Sequence, residues 1–361
     1  MKNLNIRCES MLGTSHSWAV TMRSLLKNFN DLNNNLYLKS INGLDLFPSD
    51  WKEFLRDIET PDIDISYTLP RNFEHRFKKD AKLKLAIYNY ETSILPEVWR
   101  DAIKHVDYAL PSSNFSKDVF VDSGWPEDKC IVIPHGINLS DFKDSRKVNL
   151  NNNKKFRFLN VSIPHYRKNI NLLVDAYYSS FTDKDDVCLV LKTSLKKPKN
   201  YFECDVKRQL FDVQKKYRKR RDLPLIEIVQ KRYDSIVPLY NTCDVLVSAT
   251  SSEGFGLPLL EALAAGMIVV APRYSGQLDF LSNKNSLLYD YRIVKADKRY
   301  QYWRPSPGAT TSMPEVSALA QSMLKAYKNH STLKARFKKN TRETVRKFTW
   351  ENAAKKILEI S

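Results

Sequence analysis

Asp244-Val245-Leu246-Val247-Ser248, followed by Ser252-Glu253-Gly254-Phe255-Gly256-Leu257-Pro258-Leu259-Leu260-Glu261-Ala262-Leu263-Ala264-Ala265-Gly266, is the stretch on which the fold turns. The first run is apolar and β-branched and reads as a buried strand. The second reads as a glycine-rich loop running into a helix, with two carboxylates eight positions apart. Gly254 and Gly256 let backbone approach a ligand closely, and Pro258 suits a first helical turn. The helix start offers free N–H groups and a positive dipole end, which suit a phosphate. Glu261, just inside the helix, is placed to accept two hydrogen bonds from a ribose diol. Glu253, on the loop, is placed to face a sugar. An ordinary strand–loop–helix unit with a surface glutamate at each end has the same spacing.

Outward from this unit the chain alternates strand and helix patterns. In the first half, strands are predicted at Leu4–Cys8, Asp64–Tyr67, Leu83–Tyr88, Tyr108–Leu110 and Cys130–Ile133. A helix after Gly13 carries Trp18, Met22, Leu25 and Leu26 on one face, with Ser15 or Ser17 as its cap. Residues 143–155 are polar and aperiodic and read as a linker. Strands then recur at Phe156–Val161, Val187–Leu191, Leu225–Val229 and Met267–Val270, with a helix over Ile170–Tyr177. Strands separated by helices argue for parallel sheets covered on both faces, and 361 residues suit two domains better than one core. The expected division is 1–150, 151–335, and a basic helical end over 336–361.

With Gly-Phe-Gly-Leu-Pro between the two glutamates and Glu-Ala-Leu-Ala-Ala-Gly after them, the segment resembles the retaining glycosyltransferases of family 4. Glu253 and Glu261 fall on that family's Glu-x7-Glu signature. The resemblance implies a GT-B fold: two Rossmann-like doubly wound α/β domains facing across a cleft, with the last helix crossing back to the N-terminal domain near Trp350–Ala354. It implies a nucleotide-sugar donor held mainly by the second domain, an acceptor held mainly by the first, and transfer with retained anomeric configuration. Gly254, Phe255, Gly256, Leu257 and Glu261 become donor-binding positions, and Glu253 a catalytic one.

Arg167-Lys168-Asn169 follows the first strand of the second half. Two cations there suit a diphosphate, where they would offset the charge that builds on the leaving phosphate as the sugar bond breaks. No Asp-x-Asp metal motif stands in a suggestive place, so no metal or other cofactor is expected, and protein cations take that part. The resemblance agrees at Lys168, whereas the family's further arginine has no counterpart at Ser162-Ile163-Pro164, and Arg167 is the candidate for its role. In the family the loop holding Gly13 closes over the diphosphate; a plain turn glycine reads equally well. Glu91, in Tyr90-Glu91-Thr92-Ser93-Ile94-Leu95-Pro96, follows a strand end. It is the candidate sugar or acceptor contact where many relatives have a histidine, with helix capping as the alternative. Arg232, after the Leu225–Val229 strand, reads either as a nucleotide contact or as a surface arginine. His135, in Pro134-His135-Gly136, reads as structural.

Charge separates the two halves. Residues 1–150 carry 20 Lys and Arg against 21 Asp and Glu, and residues 151–361 carry 38 against 20. Basic clusters stand at 196–232 and 325–356. Solvated helix faces explain them, and so does a polyanionic neighbour, either an anionic membrane surface or DNA. The expected partners are therefore a nucleotide-sugar, a glycan or lipid-linked acceptor, and one of those polyanions. The alternatives are transfer to modified DNA, or simple nucleic-acid binding. A Rossmann oxidoreductase fits poorly, because no Gly-x-Gly-x-x-Gly opens a helix after the first strand. Cysteines at 8, 130, 188, 204 and 243 form no metal or redox spacing. No apolar run approaches the roughly 20 residues of a spanning helix, and the N-terminus lacks a signal-peptide core. A cytoplasmic protein, peripheral on the inner face of a membrane in one version, is the expectation.

Overall fold

The computed structural model describes residues 3–14, 16–300 and 305–361. Ser15, one of the two expected caps, lies outside the described residues. The chain forms two compact units. One comprises Met1–Tyr90, Ile94–Ile137 and Phe348–Ser361, and the other Glu91–Ser93 and Asn138–Lys347.

The first unit is built on a parallel five-stranded sheet of β1 (Asn5–Ser10), β2 (Asn35–Ser40), β3 (Ile63–Tyr67), β4 (Lys84–Ile87) and β5 (Tyr108–Leu110), in the order β2-β1-β3-β4-β5. Its helices are α1 (Ser17–Asp31), the short α2 (Phe73–Arg76) and α3 (Asn114–Asp122). Of the apolar face read for α1, Met22, Leu25 and Leu26 are at most 2% exposed and Trp18 is half-buried; Phe29 is buried beside them. The cap of α1 is the His16 ring, which accepts the Trp18 N–H at 3.3 Å, and Ser17 is the first residue of the helix itself. Strand β2 escapes sequence reading because Asn33, Asn34 and Asn35 mask its start, although Leu36 and Leu38 are buried. The strand expected at Cys130–Ile133 does not form. That segment runs extended beside the three-residue β5, with Ile131 N–H bonded to Ala109 O at 3.0 Å and Ile133 N–H to Pro111 O at 2.9 Å. With so short a neighbour and Pro134 next in the chain, the ladder stops at one bridge.

The second unit holds a parallel six-stranded sheet: β6 (Phe156–Val161), β7 (Val187–Lys192), β8 (Leu225–Val229), β9 (Val245–Val247), β10 (Ile268–Pro272) and β11 (Leu287–Tyr289), in the order β11-β10-β9-β6-β7-β8. Helices α4 (Ile170–Ser180), α5 (Val206–Lys216), α6 (Val237–Tyr240), α7 (Leu257–Ala264), α8 (Val316–Lys328) and α9 (His330–Lys347) connect and flank it. An antiparallel hairpin of β12 (Tyr291–Lys295) and β13 (Thr310–Pro314) is inserted before α8. Apolar residues of β6, β7, β9 and β10 meet Leu173, Val174 and Tyr177 of α4 and Leu319 and Met323 of α8 in one core. This strand order is that of a doubly wound dinucleotide-binding sheet. Its topological switch point lies between β6 and β9, and such sheets bind ligands beyond the carboxyl ends of the strands at that point.

The units divide after Ile137 rather than after residue 150, because the expected linker is fastened to the second unit. Asn241 Nδ2 donates to Asp144 O at 2.7 Å, Val148 N–H donates to Thr242 Oγ1 at 2.9 Å, and Asn151 N–H donates to Glu227 at 2.9 Å. The C-terminal boundary also moves, from 335/336 to 347/348. Helix α9 is continuous across the expected boundary and packs on α7 and α8, and only α10 (Trp350–Leu358) joins the first unit, on α1. Within the first unit this return is closely packed. A Cβ on Gly136 would lie 2.2 Å from the Thr349 carbonyl carbon, and Ile137 N–H bonds Phe348 O at 3.1 Å.

Candidate active site

The loops leaving β6 and β9, the two strands at the switch point, carry the charged groups. After β6 the chain makes a single tight turn at Tyr166–Lys168, capped by His165, whose Nδ1 accepts the Arg167 N–H at 3.2 Å. The turn ends at Asn169, which sits in the left-handed region at φ 48°, a conformation asparagine tolerates better than most residues. Its side-chain amide reaches across to the β9 loop, donating to Ala249 O and Ser251 Oγ, each at 2.9 Å. Ser251 N–H donates back to Arg167 O at 2.7 Å. These bonds fix the two loops against each other and so fix their side chains.

Glu253 is the meeting point. Its carboxylate accepts from Arg167 at 3.0 Å through one oxygen and from the Lys168 ammonium through the other. Arg167 also donates to Ser252 O at 2.8 Å and pairs with Glu91 at 3.2 Å. The Glu253 backbone is pinned at both ends. Its N–H donates to Ser275 Oγ at 2.8 Å, and its carbonyl accepts the Gly276 N–H at 3.0 Å. Ser275 adopts φ 69° to do this, a strained conformation for a serine. Burial would raise the Glu253 carboxyl, but the two cations outweigh it and hold it at about 2. Burial and the neighbouring Arg167 charge pull the Lys168 ammonium below its ordinary range. The result is a buried, charge-balanced cluster of two cations and two carboxylates.

Helix α7 starts at once after this loop. Gly256 at its N-terminus has φ 95°, which favours glycine, and Pro258 occupies the first turn. Glu261, half-buried, accepts the Tyr240 hydroxyl at 2.7 Å. Burial drives its carboxyl up to about 7, with Tyr240 holding it back and the Asp141 charge adding to the rise. Because the folded protein binds this proton more tightly than the unfolded chain does, the carboxyl favours folding fully below pH 4.5. That advantage is lost as pH rises through 7. Relative to Glu261→Gln, wild type should lose about 3 kcal/mol of stability between pH 5 and 8, read as a falling difference in Tm. A pH-independent difference would refute the assignment.

Residues 141–296 match the family described as Glycosyl transferases group 1. Over that stretch the chain is similar to that family. Over 312 residues the chain is 24% identical to a probable sucrose-phosphate synthase of Thermosipho melanesiensis, a match that covers 82% of this chain and 63% of that relative. Among solved structures, a glycosyltransferase from Rickettsia africae superposes with a TM-score of 0.74 at 16% identity, covering 99% of this chain and 98% of that one. Anabaena HepE, solved in complex with UDP and glucose, gives 0.70 at 12% identity with 99% of each chain covered. These likenesses establish the fold: two parallel-sheet Rossmann-like units of the GT-B kind.

The matched stretch, residues 141–296, holds most of the residues singled out in sequence. Glu253, Arg167 and Lys168 come together, with Gly254, Gly256, Leu257 and Glu261 following in one loop and helix start. Phe255 turns its ring inward against Phe280, at 5.0 Å between centroids, so only its backbone is available to a ligand. Glu91, the candidate sugar or acceptor contact, joins the cluster through its ion pair with Arg167. Arg232 does not join. It is exposed after the edge strand β8, two strands from the switch point. Gly13 belongs to the other unit, and its need for glycine has a local cause: an added Cβ would lie 1.6 Å from Gly43 O. His165, Asn169, Tyr240 and Ser275 position the cluster and carry no sequence signature of it. Only the His165 spacing, two residues before Arg167, hints at a cap. Among the described residues no group of three or more His, Cys, Asp or Glu side chains is placed to hold a metal ion.

The two basic clusters differ in structure. In the first, Lys216 pairs with Asp175 at 2.7 Å and Arg220 with Asp222 at 2.9 Å, and Arg220 also donates to Phe181 O at 3.1 Å. Its aromatic residues are largely structural: Phe202 stacks on His165 and Tyr217 packs on Tyr178. In the second, α9 buries Leu333, Phe337, Thr341 and Val345 and turns Lys338, Lys339 and Arg342 outward. Among the described residues those three make no ion pair, and they line a shallow surface cavity of about 390 Å³.

Proposed function

We propose that the protein transfers a hexose-type sugar from a nucleotide-diphosphate sugar to an acceptor hydroxyl, with retained configuration and without a metal. One observation carries this reading: Lys168 and Arg167 converge on Glu253 at the switch point of a group 1 domain, one turn before the helix that bears Glu261. The diphosphate is held by Lys168, Arg167 and the N–H groups at the start of α7, and the ribose diol by Glu261. Glu253 and the backbone of Gly254–Gly256 face the sugar. In the reaction the acceptor oxygen bonds to the anomeric carbon on the face from which the phosphate oxygen departs. The leaving phosphate takes the acceptor proton, and the two cations offset the charge it gains. That the cluster already neutralises a buried carboxylate supports its capacity to receive a diphosphate.

The test is a thermal-shift screen of nucleotide-sugars, beginning with UDP-glucose, followed by donor turnover in EDTA. A donor at about 100 times its Kd should stabilise the protein by about 2.7 kcal/mol. A flat screen across all nucleotide-sugars would overturn the reading, and turnover abolished by EDTA would overturn its metal-free form.

For the acceptor we infer a glycan or lipid-linked glycan, with α9 lying on an anionic membrane surface. Lys338, Lys339 and Arg342 support this, since among the described residues they make no ion pair. They lie about one helical turn apart on one flank, a flat array suited to a planar surface. Among the described residues no helix is long and apolar enough to cross a membrane. Vesicles containing a phosphatidylserine fraction should sediment the protein, and Lys338→Glu with Arg342→Glu should abolish that binding. Salt-sensitive affinity for duplex DNA without vesicle binding would favour the modified-DNA acceptor instead.

A further inference from the structure

The hairpin of β12 and β13 makes contacts that the proposed chemistry has not used. It touches all three segments that build the charged cluster. Ser312 Oγ donates to Ser251 O, and Thr311 Oγ1 does so at 3.4 Å; Ser251 in turn donates to Arg167 O. Thr310 N–H donates to Ser93 Oγ at 2.8 Å, and Ser93 N–H returns a bond to Thr310 O at 3.0 Å, two residues from Glu91. The Arg299 guanidinium lies over the Tyr166 ring, 4.3 Å from its centroid, and is itself oriented by Asp297 at 2.7 Å. Tyr166 opens the turn that carries Arg167 and Lys168.

We propose that this hairpin is the positioning element of the diphosphate-binding cations, with Arg299 acting through Tyr166. The proposal rests on the transferase reading above. A guanidinium over an aromatic face attracts at exposed sites as well as buried ones, and Arg299 is exposed. Its removal therefore leaves the core intact and frees one side of a three-residue turn. A turn that drifts takes Lys168 away from the phosphate oxygen where charge develops, which is felt more in turnover than in ground-state binding.

Arg299→Ala should lower kcat about tenfold with KM changed less than threefold and Tm unchanged. Arg299→Lys, which keeps a cation over the ring, should recover part of the loss. Tyr166→Ala should give the same loss, and the double variant no more than either single one. Hydrogen exchange of the peptide spanning 165–169 should quicken in Arg299→Ala, an arm that reads the geometry without needing turnover. Unchanged exchange and kcat, or losses that add in the double variant, would overturn the proposal. Wild type that consumes no nucleotide-sugar, with exchange still quickened in Arg299→Ala, would overturn the transferase reading and leave the brace standing.

Discussion

Lys168→Ala is expected to lower sugar transfer by about 10²–10³-fold, the usual loss when one preorganised charge donor to a developing oxyanion is removed. The ammonium lies in a site where burial weakens screening by water, so on the proposed reading its contribution to the transition state is large. Its removal leaves Arg167 shared between Glu253 and Glu91, with no cation left to spare for a diphosphate. Arg167→Ala should cost activity too. It should also cost stability, because Arg167 holds Ser252 O at 2.8 Å and two carboxylates would remain half-compensated. Lys168→Ala should leave Tm within a few degrees, which separates catalytic loss from unfolding. Donor turnover measured beside thermal unfolding decides it, and activity within tenfold of wild type would remove Lys168 from the mechanism.

The second large effect is a divergence between binding and turnover. Glu253→Gln keeps the shape of the side chain and removes the charge that neutralises Lys168 and Arg167. The site gains one net positive charge, so a nucleoside diphosphate should bind about tenfold tighter, about 1.4 kcal/mol. Transfer should nevertheless fall by at least about 10²-fold, because the amide places an N–H where the sugar requires an acceptor. Titration calorimetry for binding and donor consumption for turnover read the two halves. Binding and turnover that fall together would show that Glu253 holds the cations in place and does nothing further. Since the Glu253 carboxyl is held at about 2 by its two cations, its ionised form contributes stability above pH 4.5 that is lost as pH falls toward 2. Glu253→Gln should therefore unfold at acid pH with a shallower pH dependence than wild type.

The parts legible in sequence were those with a short-range cause. Strands β6, β7, β8, β9 and β10 are dense apolar or β-branched runs, and Gly256 and Pro258 obey local rules of helix starts. Lys168 and Glu253 were legible as separate candidates, because each follows a strand predicted to be buried. Their meeting was not, since it depends on β6 and β9 being neighbours, a pairing between residues more than 80 positions apart. The Glu91–Arg167 pair was hidden for the same reason. Tyr240 had no signal because a tyrosine in a four-residue helix looks like core until Glu261 is placed beside it. Charge counting treated the two basic clusters alike, and only the structure shows that Asp175, Asp222 and main-chain carbonyls occupy cations of the first, while among the described residues Lys338, Lys339 and Arg342 of α9 make no ion pair. The hairpin was missed because Ile293 and Val294 are adjacent and flanked by Arg292 and Lys295, a run too short and without the alternation that marks a strand.

The most direct measurement is the affinity of UDP and of uridine, each titrated by calorimetry into wild type and into Lys168→Ala. If the cluster around Glu253 holds the diphosphate, UDP binds wild type far more tightly than uridine does, and Lys168→Ala removes most of that margin while leaving uridine unchanged. Equal affinity of UDP for the two proteins would contradict it.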